Sequence, residues 1–135
     1  MEGGKLCLKN GEKIPVDQIY RSLGGNAANN VVGLTRLGFK TTIYTIFGDD
    51  QLGERIGQYL EAEKIDKSLV QVEKGTESRY STIINFAGER TILEYAVSRQ
   101  YVLPANLPET TWVYLSSVGP DYEDFFAELA GYVVK

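Results

Sequence analysis

The sequence predicts an α/β fold carrying a small antiparallel sheet, and three observations support that class. Between Val31 and Leu60 an apolar stripe at helical spacing gives way to a β-branched run and then to a second helical stripe. That alternation builds a sheet covered by helices. Thr41-Thr42-Ile43-Tyr44-Thr45-Ile46-Phe47 is apolar or β-branched on both faces, as a strand buried on both sides of a parallel sheet requires. Between Tyr80 and Tyr95, by contrast, two alternating runs flank Ala87-Gly88-Glu89, the pattern of a hairpin inserted into an α/β chain.

The elements follow in order. Lys5-Leu6-Cys7-Leu8 and Lys13-Ile14-Pro15-Val16 flank Asn10-Gly11, a strong short hairpin signal, with Pro15 directing its strand to an edge. Ile19 to Leu23 is expected to continue as a short strand. The helical stripe of Ala27, Ala28, Val31, Val32, Leu34 and Leu37 comes next, with Gly38 placed to stop it. After the buried strand, Gly48 breaks the pattern and Asp49 or Asp50 can cap a helix whose apolar side is Leu52, Ile56, Tyr59 and Leu60. Capping is the expected duty of these adjacent acids, in preference to a paired-carboxylate or metal site. Leu69 to Val72 reads as a short strand. Beyond the Tyr80–Tyr95 hairpin, Leu103 to Thr110 carries Pro104 and Pro108 and reads as a linker. Trp112-Val113-Tyr114-Leu115 reads as a buried strand returning to the main sheet. Gly119-Pro120-Asp121 then opens a last helix lined by Tyr122, Phe125 or Phe126, Leu129 and Val133.

Composition bounds the function. With 135 residues, 43% hydrophobic and 24% charged, the chain suits one modest domain with its own core. A net charge of −4 and a pI near 4.9 give no electrostatic footprint for nucleic acid or an anionic membrane. No apolar run approaches membrane-spanning length and the N-terminus has no signal-peptide core, so a cytoplasmic protein is expected. Cys7 is the single cysteine, without an internal disulfide partner, and is expected to serve as a small hydrophobe on a strand. The chain has no histidine. A Ser-His-Asp triad, a Cys–His nucleophile and a histidine-containing zinc site are therefore excluded, and any general base must be Asp, Glu, Lys or Tyr.

The stretch from Ser22 to Gly38 carries the candidate site. Gly24 and Gly25 leave no side chain in the way of a ligand, and Asn29 falls on the first turn of the helix behind them. A helix N-terminus offers unpaired N–H groups, and an Asn amide both donates and accepts, a combination suited to a polyhydroxyl ligand. Spacing alone fits either such a corner or a plain loop-to-helix junction.

The order of motifs narrows the choice. Gly24-Gly25-x-x-x-Asn29, a helix, a strand and then Gly48-Asp49-Asp50-x-x-Gly53 resemble the N-terminal part of the ribokinase-like (PfkB) carbohydrate kinases, from about Gly11 to the C-terminal end. The resemblance implies the first half of a doubly wound sheet plus a small β lid. One partial domain, 1–135, would have its α/β part at about 24–76 and 104–135 and its lid segments at about 5–23 and 77–97. It also implies Gly24, Gly25 and Asn29 as sugar-binding residues, no catalytic or metal-ligating residue in this chain, and ATP and Mg as cofactors of a longer parent only. A homodimer through the lid is the implied assembly.

The resemblance is incomplete at both ends. The family's Gly-x-Gly-Asp turn, which binds phosphate and carries the catalytic Asp, does not occur here, nor does a Walker-type loop. Asn106-Leu107-Pro108-Glu109 imitates a family Asn-x-x-Glu motif, but stands in a proline-bearing linker ahead of the family's place for it. At the start, Met1-Glu2-Gly3-Gly4 leaves no room for a family strand ending in a sugar-binding Asp. The chain thus resembles a piece cut at both ends, the acceptor-binding half of a sugar kinase, inactive by itself. A nucleoside (adenosine-like) kinase fragment and a non-catalytic sugar-binding or dimerisation module are the alternatives.

Overall fold

A computed structural model describes residues 5–120 and 122–133. The elements run α1 (Asn26–Arg36), β1 (Thr45–Gly48), α2 (Gln51–Ala62), β2 (Val70–Glu73), β3 (Tyr80–Phe86), β4 (Glu89–Tyr95) and α3 (Glu123–Val133). They form two small sheets. β1 and β2 pair in parallel, Thr45 opposite Val70 through Gly48 opposite Glu73, with α2 as their crossover. β3 and β4 pair antiparallel, from Tyr80 opposite Tyr95 to Phe86 opposite Glu89.

The helices form where periodicity and end chemistry agree. Asp50 caps α2 by accepting from the Gly53 backbone N–H at 2.8 Å. Both helices finish in Schellman turns. Phe39 N–H donates to Leu34 O and Gly38 N–H to Thr35 O after α1; Ile65 N–H donates to Leu60 O and Lys64 N–H to Glu61 O after α2. The second turn places a lysine, Lys64, at φ 58, and buries Ile65 against Leu60. The core lies here. Val31 of α1, Ile43 and Phe47 of the β1 segment, Leu60 of α2 and Ile65 are buried together, flanked by Leu23, Ala27, Val32, Ile56 and Val70. Arg36 of α1 and Glu63 after α2 tie the helix ends across that core by two hydrogen bonds, and the ion pair holds the Glu63 carboxyl below its ordinary pKa.

Several expectations are corrected. Asn10 and Gly11 do turn the chain, but neither 5–8 nor 13–16 is a strand, and Ile19 to Leu23 is irregular. A turn dipeptide fixes local geometry, while a strand also needs a paired neighbour, and a two-stranded ribbon is only marginally stable by itself. Ile14, Val16 and Ile19 stay exposed, and among the described residues the antiparallel sheet consists of the 80–95 strands alone. Cys7 is exposed and lies off any strand. The β-branched run at 41–47 is regular only from Thr45, preceded by one isolated bridge between Thr42 and Asp66. Trp112 to Leu115 is not a strand and not buried, with Trp112 at 87% exposure. Its apolar pattern finds no strand partner among the described residues. The last helix begins at Glu123, and Asp121, expected at its opening, lies outside the described residues. Among the described residues no helix is long and apolar enough to cross a membrane.

Candidate functional site

The sequence places a glycine pair ahead of α1, and the geometry shows what that pair permits. Gly25 is the N-cap of α1 at φ 92, ψ 151, a combination that residues with a Cβ essentially do not adopt. Being glycine, it supplies no side-chain cap. The first intrahelical bond is Asn29 N–H to Gly25 O at 3.0 Å, so the N–H groups of the turn before it point outward without a partner in the helix. A Cβ added at Gly24 or Gly25 would meet nothing within 4 Å, so the corner is open. Asn30 turns its amide back onto Asn26 O at 2.9 Å. Asn29 is exposed, and its side chain makes no hydrogen bond among the described residues. The first turn of α1 carries no acidic residue. Gly24, Gly25 and Asn29 are therefore brought together as an open corner of outward N–H groups and one free amide, able to receive hydroxyl or carbonyl oxygens.

The second motif is built differently. Gly48 ends β1 and Gly53 lies in the first turns of α2, and the two touch: a Cβ on Gly53 would collide with Gly48 O. Asp50 accepts from Ser78 N–H at 3.0 Å and from the Ser78 hydroxyl at 2.6 Å, while Ser78 Oγ accepts from Gly48 N–H at 3.1 Å. Asp49 accepts from Gly75 N–H at 2.8 Å. Asp50 thus caps α2, as was expected of one of the two acids, while Asp49 instead holds the loop at Gly75. The Ser78 hydroxyl, then the backbone N–H groups of Ser78 and Gly53, keep the Asp50 carboxyl below its ordinary pKa. A shallow cleft of about 380 Å³ beside this turn, lined by Phe47, Asp50, Gly53, Gly57, Lys67 and Val72 among others, does not include the glycine corner.

Sequence reasoning passed over the polar roots of the hairpin. Ser78 is fully buried and Arg99 is 3% exposed, the two buried polar residues among those described. Nothing in the local pattern marks them, because a serine or arginine in an irregular segment reads as exposed. Among the described residues no three or more His, Cys, Asp or Glu cluster as a metal site would need.

Comparison with known proteins gives the corner a context. The model of the pfkB family carbohydrate kinases matches residues 5–130. The 5-dehydro-2-deoxygluconokinase of Geobacillus thermodenitrificans is 38% identical over 77 residues, which cover 53% of this chain and 23% of the relative. That of Clostridium beijerinckii is 39% identical over 75 residues, covering 54% and 22%. Among solved structures, a provisionally assigned ribokinase from Agrobacterium tumefaciens superposes with a TM-score of 0.51 at 30% identity, over 62% of this chain and 30% of its own. Ribokinase from Cryptococcus neoformans, solved in complex with ADP, superposes with a TM-score of 0.56 at 23% identity over 66% and 28%, a likeness of fold. The chain matches only about a quarter of the length of these relatives.

Proposed function

The chain belongs to the pfkB family of carbohydrate kinases, and on that premise we propose that it carries the acceptor-binding part of a kinase moving the ATP γ-phosphoryl to a sugar hydroxyl. One observation carries the reading: Gly24, Gly25 and Asn29 form an open corner of outward donors and a free amide at the start of α1. Such a corner binds an uncharged hydroxyl or a carbonyl and leaves space for the sugar ring where side chains would stand. The partial match to the ribokinases supports the first part of a doubly wound sheet as the setting. The relatives' names suggest a keto sugar acid or ribose as the acceptor. We assign the phosphoryl donor and the in-line chemistry to residues outside this chain. The sequence holds no Gly-x-Gly-Asp turn. The composition fits a cytoplasmic setting.

The test is a titration of the ¹⁵N-labelled chain with 5-dehydro-2-deoxygluconate and with ribose. Amide shifts are expected at Gly24, Gly25 and Asn29 with one of the two. Asn29→Ala should weaken that binding by about 0.5–1.5 kcal/mol, or about two- to twelvefold, and leave the melting temperature unchanged or higher, since Ala is the better helix former. Shifts that survive Asn29→Ala unaltered, or a melting temperature that collapses without change in binding, overturn the reading. Neither sugar should be phosphorylated by the chain with MgATP.

The hairpin supports a second element of the proposal, a homodimer through the lid. Ile83 and Ile92 face each other across the ribbon on one side and remain half exposed, as does Leu93 on the other. A two-stranded ribbon with both faces wet is marginal by itself. Covering the Ile83 and Ile92 side with a second copy about a two-fold axis removes one of the two patches. Light scattering is expected to give twice the chain mass, falling to the monomer in Ile83→Asp. A wild-type monomer at high concentration overturns this element alone.

A further inference from the structure

The hairpin of β3 and β4 stands clear of the rest of the chain. Every residue of both strands is exposed except Ile84, which is half-buried, so packing does not set its direction. Its root does. Below the last ladder pair, Tyr80 opposite Tyr95, the incoming and outgoing segments are joined by two guanidinium groups that cross in opposite directions. Arg79, on the incoming segment, donates from Nε and Nη2 to Val97 O at 2.9 and 2.6 Å and from Nη2 to the Tyr101 hydroxyl at 3.0 Å. Arg99, on the outgoing segment, donates to Glu77 O, to Thr76 Oγ1 at 2.7 Å and to the Glu73 carboxylate at the end of β2. These side-chain bonds take over where the backbone ladder ends at the Tyr80–Tyr95 pair.

We propose that Arg79 and Arg99 form a crossed clamp that fixes the angle at which the hairpin leaves the α/β layer. Three features support a fixed joint over a swinging one. The Arg99 side chain is 1% exposed, and a buried cation that loses its acceptors has no water to replace them. Bonds from an ionised guanidinium to carbonyl oxygens are charge-assisted and paired in geometry, which narrows the orientations they accept. The clamp is also anchored on both sides. Ser78, between Glu77 and Arg79, is bonded to Asp50 at the cap of α2, and the Tyr101 hydroxyl that receives Arg79 also receives Gly119 N–H at 2.9 Å. The clamp is independent of which sugar, if any, the α1 corner binds.

Spin labels test it. In the Cys7→Ser chain, cysteines introduced at Asn85 and Gln58 report the distance from hairpin to α2, with unlabelled chain added in excess to suppress any intermolecular signal. One narrow distance distribution is expected, at least doubling in width in Arg79→Met and in Arg99→Met. Hydrogen exchange in α2 and across the β3–β4 ladder should stay as in the parent. If Arg99→Met does not fold, Arg79→Met and Tyr101→Phe decide the matter, the latter widening the distribution less. A parent distribution already as broad as the variants', or a width unchanged in folded Arg79→Met, overturns the clamp.

Discussion

Replacing Gly48 by alanine is expected to lower the stability of the chain by about 3 kcal/mol or more. A Cβ on Gly48 would overlap Thr76 O and lie 2.7 Å from both Thr76 C and Glu77 C. All three are backbone atoms of the segment that leads to the buried Ser78, so no side chain can swing aside. Moving that backbone would also pull Ser78 from Asp50 and from Gly48 N–H. Gly53→Ala should behave alike, its Cβ meeting Gly48 O and lying 3.1 Å from Phe47 Cδ2. Gly57 supplies the contrast within the same helix: nothing lies within 4 Å of its Cβ position, and alanine there should stabilise α2 by about 1 kcal/mol. Urea unfolding followed by circular dichroism reads all three. Gly48→Ala with a midpoint at or above that of Gly57→Ala would contradict the close approach on which the motif rests.

That comparison bears on how much was legible in the sequence. α1, α2 and the 80–95 hairpin follow from patterns local to each segment, and their end signals at Gly38, Asp50 and Ala87-Gly88 act within one turn of chain. The glycine corner was legible for the same reason: Gly24, Gly25 and Asn29 are held together by the helix that joins them. Strands at 5–8, 13–16 and 112–115 were expected and do not form. Each has a suitable composition, but a strand exists only with a neighbour, and no stretch of sequence states who its neighbour is. Trp112 is the clearest case, a large aromatic in an apolar run that stays in solvent. Arg99 is the reverse. Its side chain is buried only because Glu73, Thr76 and Glu77 converge on it from a segment more than twenty residues away, a meeting that periodicity cannot foresee.

Asp50 offers the second large effect, because its carboxylate serves two segments at once. Oδ1 accepts from Gly53 N–H and from the Ser78 hydroxyl, and Oδ2 accepts from Ser78 N–H. An asparagine keeps the first oxygen but sets an NH₂ group against a backbone donor, leaving one fully buried N–H unpaired. Asp50→Asn is therefore expected to destabilise the chain by about 1–3 kcal/mol at neutral pH, and Asp50→Ala by more, since the helix cap goes too. The pH dependence separates this from a general loss of packing. The folded-state pKa of Asp50 lies below the ordinary value of 3.8, so the folded form binds fewer protons than the unfolded one in that range. The stabilisation is complete above the ordinary value and is lost as pH falls through the lower, folded one. Glu63 and Asp66 are held low as well, so both proteins should lose stability in acid. The quantity to follow is the difference between them, measured by urea unfolding from pH 7 down to about pH 2. It should stay constant while the Asp50 carboxyl is ionised in both states and shrink once the unfolded chain begins to be protonated. A difference that does not change across that range would mean that Asp50 holds Ser78 by shape alone and that its charge contributes nothing.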